Sequence, residues 1–200
     1  MYGALIRKLK GKHMFLETRC LKTVFHLRRN SIKRKQMYLI NYDKNECKLI
    51  LNKNSKLRVI NKSSTQFLKS TTVVFSSMWL DIQSTKNGNP FYQPPTDLHI
   101  VLQDNRLKSG GILGLTLSIR EQKTTRKNKI TNHKYSKKDV KNKFPKLLPV
   151  YKSVRNRCKY VHSILDICHL IEKKYNKKVE LLDFMNYTTG LMYVFFIRIM

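Results

Sequence analysis

Acidic residues are scarce in this chain. Its 200 residues include 12 Asp and Glu against 41 Lys and Arg, which gives a formal net charge of +29. The few carboxylates are scattered, and no short spacing joins two of them with a base, which argues against an acid–base catalytic site. Repulsion among so many cations weakens the compact state unless a polyanion neutralises them. We therefore expect a nucleic acid as the main partner.

Long apolar runs are also absent. Residues 191–200 form the longest one, about half of the ~20 residues that a membrane-spanning helix needs, and they include Arg198. We expect a buried strand there rather than a transmembrane segment. Alanine occurs once, Asn is abundant, and Lys outnumbers Arg 29 to 12. This composition is typical of an A/T-rich genome, and we expect an organelle-encoded protein of the mitochondrial matrix.

Cysteine and glycine complete the set of scarce residues, with four and seven copies. The cysteines have no paired spacing, so we expect free thiols. Cys158 and His162 lie four residues apart on a predicted helix, which leaves a zinc site there open without predicting one. The segment from Gly110 to Gly114 lacks the Gly-Lys-Ser/Thr of a phosphate-binding loop, and the six histidines share no nucleophile motif. These observations predict no catalytic residue, no cofactor, no metal and no small-molecule substrate, and hence a protein that is not an enzyme.

Hydropathy patterns predict an α+β fold, with a small mixed sheet and one or two packing helices. Residues 1–38 are basic with interleaved apolar positions, and we expect a basic N-terminal arm of short helices rather than a transit peptide. Residues 39–119 are expected to be mainly β. They contain a hairpin around the polar residues 52–56, a central strand at 71–83, a buried strand at 98–102 and a half-buried strand at 113–119.

The rest of the chain is predicted as a basic extension followed by the C-terminal part of the same core. Residues 120–146 carry eleven Lys and Arg, with only Glu121 and Asp139 as acids. This segment is too polar to form a core, so we expect a long loop that becomes ordered on RNA. Residues 147–200 are expected to contain a helix at 154–175 and strands at 179–185 and 191–199.

Basic side chains in three segments are the candidate RNA contacts, mostly to phosphates. They are Arg7, Lys8, Lys10, Lys12, Arg19, Lys22, Arg28, Arg29, Lys33, Arg34, Lys35, Lys123, Arg126, Lys127, Lys129, Lys134, Lys137, Lys138, Lys141, Lys143, Lys146, Arg155 and Arg157. Aromatic residues accompany them and can stack on unpaired bases or pack in the core. They are Phe15, Phe25, Tyr38, Tyr42, Tyr135 and Tyr151.

One segment resembles a known family. Residues 164–181, with the sequence ILDICHLIEKKYNKKVEL, resemble a helix-to-strand segment of mitochondrially encoded small-subunit ribosomal proteins of the S-three (Var-type) family. The resemblance implies a K-homology domain, whose G-x-x-G loop Gly111 to Gly114 formally fits. It also implies a structural constituent of the mitochondrial ribosome that binds rRNA and neighbouring ribosomal proteins in the small subunit.

Two other functions remain open. A nucleic-acid enzyme, such as an intron-encoded maturase or nuclease, needs acids clustered around a metal, for which Asp81 and Asp97 are the candidates. A lineage-specific subunit of an organellar membrane complex is the other, with the basic face lying on anionic lipid.

Overall fold

A computed structural model describes residues 2–82, 96–118, 137–147, 158–187 and 192–200 of the protein. The strands in these ranges are β1 (His13–Leu16), β2 (Met37–Asn41), β3 (Val59–Asn61), β4 (Phe75–Ile82), β5 (Leu107–Ser118), β6 (Val179–Tyr187) and β7 (Met192–Ile199). The α-helices are α1 (Tyr2–Ile6), α2 (Lys22–Arg29), α3 (Lys44–Lys53), α4 (Ser64–Ser70), α5 (Thr96–Gln103), α6 (Lys137–Lys143) and α7 (Cys158–Tyr175). Two 3-10 turns lie at Arg34–Gln36 and Pro145–Leu147.

The strands form one seven-stranded sheet in the order β3-β2-β1-β4-β5-β7-β6. β1 to β5 pair in parallel, and β7 runs antiparallel between β5 and β6. Helices separate the successive parallel strands in the first half of the chain, as parallel pairing requires. The strand order reverses between β1 and β4, so the chain winds outward from this pair in both directions.

Alternating side chains of the central strands build a core on each face of the sheet. Met14 of β1 and Ile40 of β2 join one buried cluster, which also contains residues of α5 and α7. Phe15 and Leu39, one position away, join a second cluster with residues of α1 and α2. A strand alternates its side chains between the two faces, so both faces of the sheet are covered.

Several predicted elements are confirmed, whereas others differ. β4, β5, α7, β6 and β7 lie where strands and a helix were expected. Residues 98–102 belong to helix α5, not to a strand, because a short apolar run suits a buried helix equally well. The expected hairpin around 52–56 is instead the end of α3 followed by β3, which pairs in parallel with β2.

The residues expected to form a basic N-terminal arm instead contain β1, an interior strand of the sheet. β1 pairs with β2 on one side and with β4 on the other. The apolar residues interleaved with the cations, such as Val24 and Leu27 of α2, are at most 3% exposed. The small sheet with one or two helices is therefore replaced by a larger α/β architecture, with seven α-helices within the described ranges.

Two further expectations are affected by the fold. Gly111 and Gly114 lie inside β5, paired with β7, so they do not form the loop of a K-homology domain. Of the expected basic extension, residues 120–136 lie outside the described residues, and Lys137–Lys143 form α6. None of the described helices is long and apolar enough to cross a membrane.

A buried polar network connects α1, β1 and β4. Ser77 Oγ lies 2.6 Å from Tyr2 OH and 2.8 Å from His13 Nδ1, and both His13 and Ser77 are fully buried. Burial raises the pKa of Tyr2. Burial, with a contribution from Lys108, lowers the pKa of His13 to about 4.

The His13 pKa predicts loss of stability in acid. An unfolded histidine binds a proton near pH 6.5, whereas folded His13 does so only near pH 4. The free energy of unfolding should therefore fall as the pH drops through this window, by up to about 3 kcal/mol. The His13→Asn variant, which keeps a group able to bond Ser77, should lack this contribution. Urea unfolding of both proteins at pH 7 and pH 4.5 tests it, and an equal pH dependence of the two contradicts it.

Candidate functional site

The carboxyl ends of the parallel strands form the edge of the sheet where a ligand site is expected. In open α/β sheets the ligand site lies outside the carboxyl ends of the strands where the strand order reverses, which in this sheet is between β1 and β4. The described residues at this position come from the ends of β1, β2 and β3. Glu17 follows β1 directly, and Asn41 and Asn61 end β2 and β3. We call this edge the carboxyl edge.

Glu17 organises the connection from β1 to α2. Its side chain is buried, and its two carboxylate oxygens accept hydrogen bonds from the backbone N–H groups of Thr18 and Val24, each at 3.0 Å. Burial raises the pKa of Glu17, while these backbone donors act in the opposite direction. The carboxylate thus satisfies donors in the first turn of α2, where the helix dipole also favours a negative charge.

Two asparagine side chains connect the ends of the neighbouring strands. Asn41 Nδ2 donates to the carbonyl oxygen of Glu17 at 2.8 Å, which joins β2 to β1. Asn61 Nδ2 donates to the carbonyl oxygens of Tyr42 and Asn41, at 2.9 and 3.2 Å, which joins β3 to β2. Cys47 Sγ also donates to the Asn41 carbonyl at 3.3 Å, and burial raises the pKa of this thiol. The three strand ends are therefore held in fixed positions by their own side chains.

The loop between β1 and α2 contains no glycine. Leu21 instead adopts the left-handed backbone conformation, with φ at 54°. The loop is tied to α3 at two points, because Arg19 N donates to Glu46 Oε2 at 2.9 Å and Lys53 Nζ donates to the Arg19 carbonyl at 2.9 Å. The amides of Thr18, Arg19 and Val24 thus already bond to the protein's own carboxylates.

Side chains rather than backbone amides are what the described part of the carboxyl edge offers to a ligand. Tyr42, just after β2, is 81% exposed. Arg19, Lys22 and Asp43 are exposed as well. Asp43 also begins α3, since its Oδ1 accepts from Asn45 N at 2.7 Å and from Glu46 N at 3.1 Å. An aromatic face, two cations and a carboxylate are the groups that recognise a planar base, an anion and hydroxyl groups.

The acids proposed for a nuclease do not form a metal site in the described part. The Asp97 carboxylate, at the start of α5, accepts hydrogen bonds from the hydroxyl groups of Ser64 and Thr65 of α4, so it joins two helices. Asp81 lies on β4. Among the described residues, no three His, Cys, Asp or Glu side chains are grouped as metal ligands. Cys158 and His162 lie at the start of α7, and their side chains fall outside the described residues.

No protein-family model matches the chain, and no curated protein sequence matches it. Solved structures do match over its whole length. The chain shares its fold with solved structures that are described as methyltransferases. A protein of Clostridium thermocellum described as an rRNA methylase matches with a TM-score of 0.52 and 9% identity, covering 100% of this chain and 95% of that one. A methyltransferase of Streptococcus mutans, crystallised with S-adenosylhomocysteine, matches with a TM-score of 0.53 and 12% identity, covering 100% and 96%.

An rRNA methylase of Streptococcus thermophilus also matches, with a TM-score of 0.52 and 8% identity, covering 100% of this chain and 95% of that one. These matches correct the resemblance to the S-three ribosomal proteins, which is wrong. They equally overturn the expectation of a structural ribosomal constituent that is not an enzyme and has no small-molecule substrate, because the matching structures are described as methyltransferases. The expected role in translation is wrong for the same reason.

The predicted RNA-contacting residues divide between two edges of the sheet. Arg19 and Lys22 lie at the carboxyl edge, beside the candidate site. The other predicted cations between residues 7 and 35 lie at or near the amino ends of β1 and β2. Lys137, Lys138, Lys141 and Lys143 are on α6, and Lys146 is in the second 3-10 turn. The remaining predicted contacts lie outside the described residues, namely Lys123, Arg126, Lys127, Lys129, Lys134, Arg155 and Arg157.

The aromatic residues predicted to accompany the cations divide between the core and the surface. Phe15 is fully buried and Tyr38 is 7% exposed, so these two pack in the core, whereas Phe25 is 62% exposed. Tyr135 and Tyr151 are outside the described residues. Sequence reasoning did not select Glu17, Asn41, Asp43 or Asn61 as site residues. The available signal was a polar residue directly after each short apolar run, which becomes meaningful only when the strands are recognised as parallel.

The Glu17 contacts predict a stability effect. Glu17→Ala should lower the free energy of unfolding by about 1–3 kcal/mol, because backbone donors in the first turn of α2 lose a buried acceptor. Asp104→Ala is the matched control, since its exposed carboxylate lies 3.8 Å from Arg106 and should contribute at most about 0.5 kcal/mol. Urea denaturation at neutral pH measures both, and equal effects of the two substitutions argue against the role given to Glu17.

Proposed function

We propose that this protein is an S-adenosylmethionine-dependent methyltransferase that acts on RNA. The observation that carries the proposal is the convergence of exposed recognition groups at the carboxyl edge, beside the reversal of strand order. In sheets of this kind the crevice at the reversal is the ligand site. Tyr42, Asp43 and Arg19 are brought together there from two separate loops, which the sheet positions side by side.

The residues of this edge fit the chemical groups of S-adenosylmethionine. The exposed Tyr42 ring suits the adenine base by stacking. The Asp43 carboxylate suits the ribose hydroxyl groups. Arg19 and Lys22 suit the cofactor's carboxylate, which must be bound by charged side chains because Glu17 and Glu46 already occupy loop amides. When bound, the cofactor supplies an electrophilic methyl group at this edge.

The protein's own residues would orient the substrates in this mechanism. Glu17, Asn41 and Asn61 hold the strand ends in place, so the exposed groups start from fixed positions. Lys53 and Glu46 hold the β1–α2 loop against α3. Such preorganisation lowers the entropic cost of binding and of bringing the acceptor to the methyl group.

The substrate class follows from the charge. A net charge of +29 suits a polyanionic substrate, and two of the matching structures are described as rRNA methylases. The basic residues named above are our candidates for phosphate contacts, which position an RNA without reading its sequence. The amino-acid composition is typical of an A/T-rich genome and supports a location in the mitochondrial matrix. Detection of the protein in matrix fractions would test this location.

Cofactor binding can be tested at the adenine position. The purified protein should bind S-adenosylmethionine, and Tyr42→Ala should weaken binding about tenfold, since base stacking contributes about 1–3 kcal/mol. Phe25→Ala removes another exposed ring, on the outer face of α2, and should leave the affinity unchanged. Isothermal titration calorimetry measures the affinity for S-adenosylmethionine of the unsubstituted protein and of both variants. Absence of binding by the unsubstituted protein overturns the proposed function.

Transfer to RNA is a separate test. Incubation with tritiated S-adenosylmethionine and total mitochondrial RNA should place label in the RNA fraction, where RNase releases it and protease does not. Replacing both Arg19 and Lys22 by Gln should raise the KM for the cofactor, because the cofactor carboxylate would lose its cationic partners. Label that appears only in protein or in small molecules would exclude RNA as the acceptor.

A further inference from the structure

The amino ends of the parallel strands carry most of the basic segments in the first part of the chain. Helices return the chain to this edge before each strand, so residues 7–12, 28–36 and 53–58 precede β1, β2 and β3, respectively. We call these three segments the amino-edge surface. Together they contain twelve Lys and Arg and no Asp or Glu. Eleven of these cations remain for this edge, because the Lys53 amine donates to the Arg19 carbonyl in the β1–α2 loop. This edge lies at the opposite end of the strands from the candidate cofactor site.

Hydrogen bonds show that these segments are neighbours in the fold. Gln36 Nε2 donates to the carbonyl oxygen of Gly11 at 2.9 Å, which joins the segment before β2 to the segment before β1. The Arg58 carbonyl accepts from Leu39 N at 3.0 Å, which joins the segment before β3 to β2. Lys108 Nζ donates to the Lys10 carbonyl at 3.0 Å and extends the positive charge toward β5.

Two open clefts lie within this surface. One, of about 300 Å³, is lined by Arg7, Lys8 and Arg29, together with Asn30 and Ser31. The other, of about 590 Å³, is lined mainly by Arg34, Lys35, Lys56 and Arg58. Each combines several cations with neutral donors in a concave site, which is the arrangement that binds phosphate oxygens.

Helix dipoles explain only part of this charge. Arg28 and Arg29 end α2 and Lys53 ends α3, where the negative end of a helix favours a cation. Lys35 precedes a strand, and so does Lys56, so neither has this explanation. The three segments contain no carboxylate, so the repulsion among their cations is not compensated within the surface.

We propose that the amino-edge surface is an anchoring site for the phosphate backbone of RNA, separate from the candidate cofactor site. β4 alone spans about 25 Å between the two edges, at roughly 3.3 Å per residue. An RNA held at both edges must therefore be long enough to cover the sheet, which indicates a structured RNA rather than a nucleotide or a short oligomer. This inference extends the proposed function by naming a second contact surface for its substrate.

RNA fits this surface better than a lipid bilayer does. Binding to a membrane surface combines cations with apolar side chains that enter the bilayer. Among the apolar residues of these segments, Ile32 and Leu57 are buried, at 4% and 5% exposure, and Leu9 is half-buried against the core. The exposed groups are therefore cations and neutral polar side chains, which match phosphates and ribose hydroxyl groups.

A charge-matched pair of variants tests the proposal. The first replaces Lys8, Lys35 and Lys56 by Gln on the amino-edge surface. The second replaces Lys44, Lys48 and Lys62 by Gln, which are equally exposed but lie on α3 and after β3. Affinity for a fluorescein-labelled RNA hairpin is measured by anisotropy over a series of NaCl concentrations, without cofactor. The slope of log K against log salt should decrease by about 2–3 units in the first variant and much less in the second.

The outcomes separate this inference from the proposed function. Equal slopes for the two variants overturn the proposed role of the amino-edge surface. Binding to vesicles of phosphatidylserine and phosphatidylcholine is measured in parallel. If the first variant loses affinity for the vesicles but not for RNA, the partner is a lipid and the proposal is also overturned. Calorimetry of S-adenosylmethionine binding should give the same affinity for both variants, and thermal unfolding checks that both are folded. A protein that binds RNA through this surface but binds no cofactor would retain this inference and lose the proposed function.

Discussion

Parallel pairing of the short strand β1 is the constraint on which the rest of the molecule depends. β1 has four residues, and it pairs with β2 and with β4 at the reversal of strand order. Met14 enters the core on one face and Phe15 the core on the other, so one strand supports both layers of helices. His13 at its start joins the buried network with Ser77, and Glu17 at its end fixes the start of α2. Displacement of β1 would affect the two cores and the candidate site together.

The two edges of the sheet differ in electrostatic character, so charge is distributed asymmetrically along the strand direction. Glu17, Asp43 and Glu46 lie at the carboxyl edge, among hydrogen bonds that hold the β1–α2 and β2–α3 loops. The three segments of the amino-edge surface carry cations and no acid. For the proposed function this separation would be an advantage, because a polyanion would be attracted mainly to one edge and the other would remain accessible. At the carboxyl edge, the buried carboxylate of Glu17 accepts hydrogen bonds from backbone donors at the start of α2, so these donors do not require an external anion.

The β1–α2 loop beside the candidate site contains no glycine, unlike the glycine-rich loops that bind ligands through backbone amides. Where a glycine-rich loop offers backbone amides to a ligand, here Glu17 and Glu46 bond to those amides and Leu21 adopts the left-handed conformation. In the proposed function, recognition of the cofactor would depend on side chains such as Tyr42 and Arg19. This substitution of side chains for backbone also explains why no glycine motif in the sequence pointed to the site.

Local pattern determined much of this protein without reference to the fold. Alternation of apolar residues identified β4 and β5, and helical periodicity identified α7, while the charge predicts a polyanionic partner. Local pattern did not distinguish the apolar run at 98–102 from a strand, nor reveal that the basic residues before 38 surround a central strand. Tertiary structure alone decided that the ends of β1, β2 and β3 meet at one edge and that three distant basic segments meet at the other. The reason is that parallel pairing brings together residues separated by whole helices, and no periodicity within a short window records which strands become neighbours.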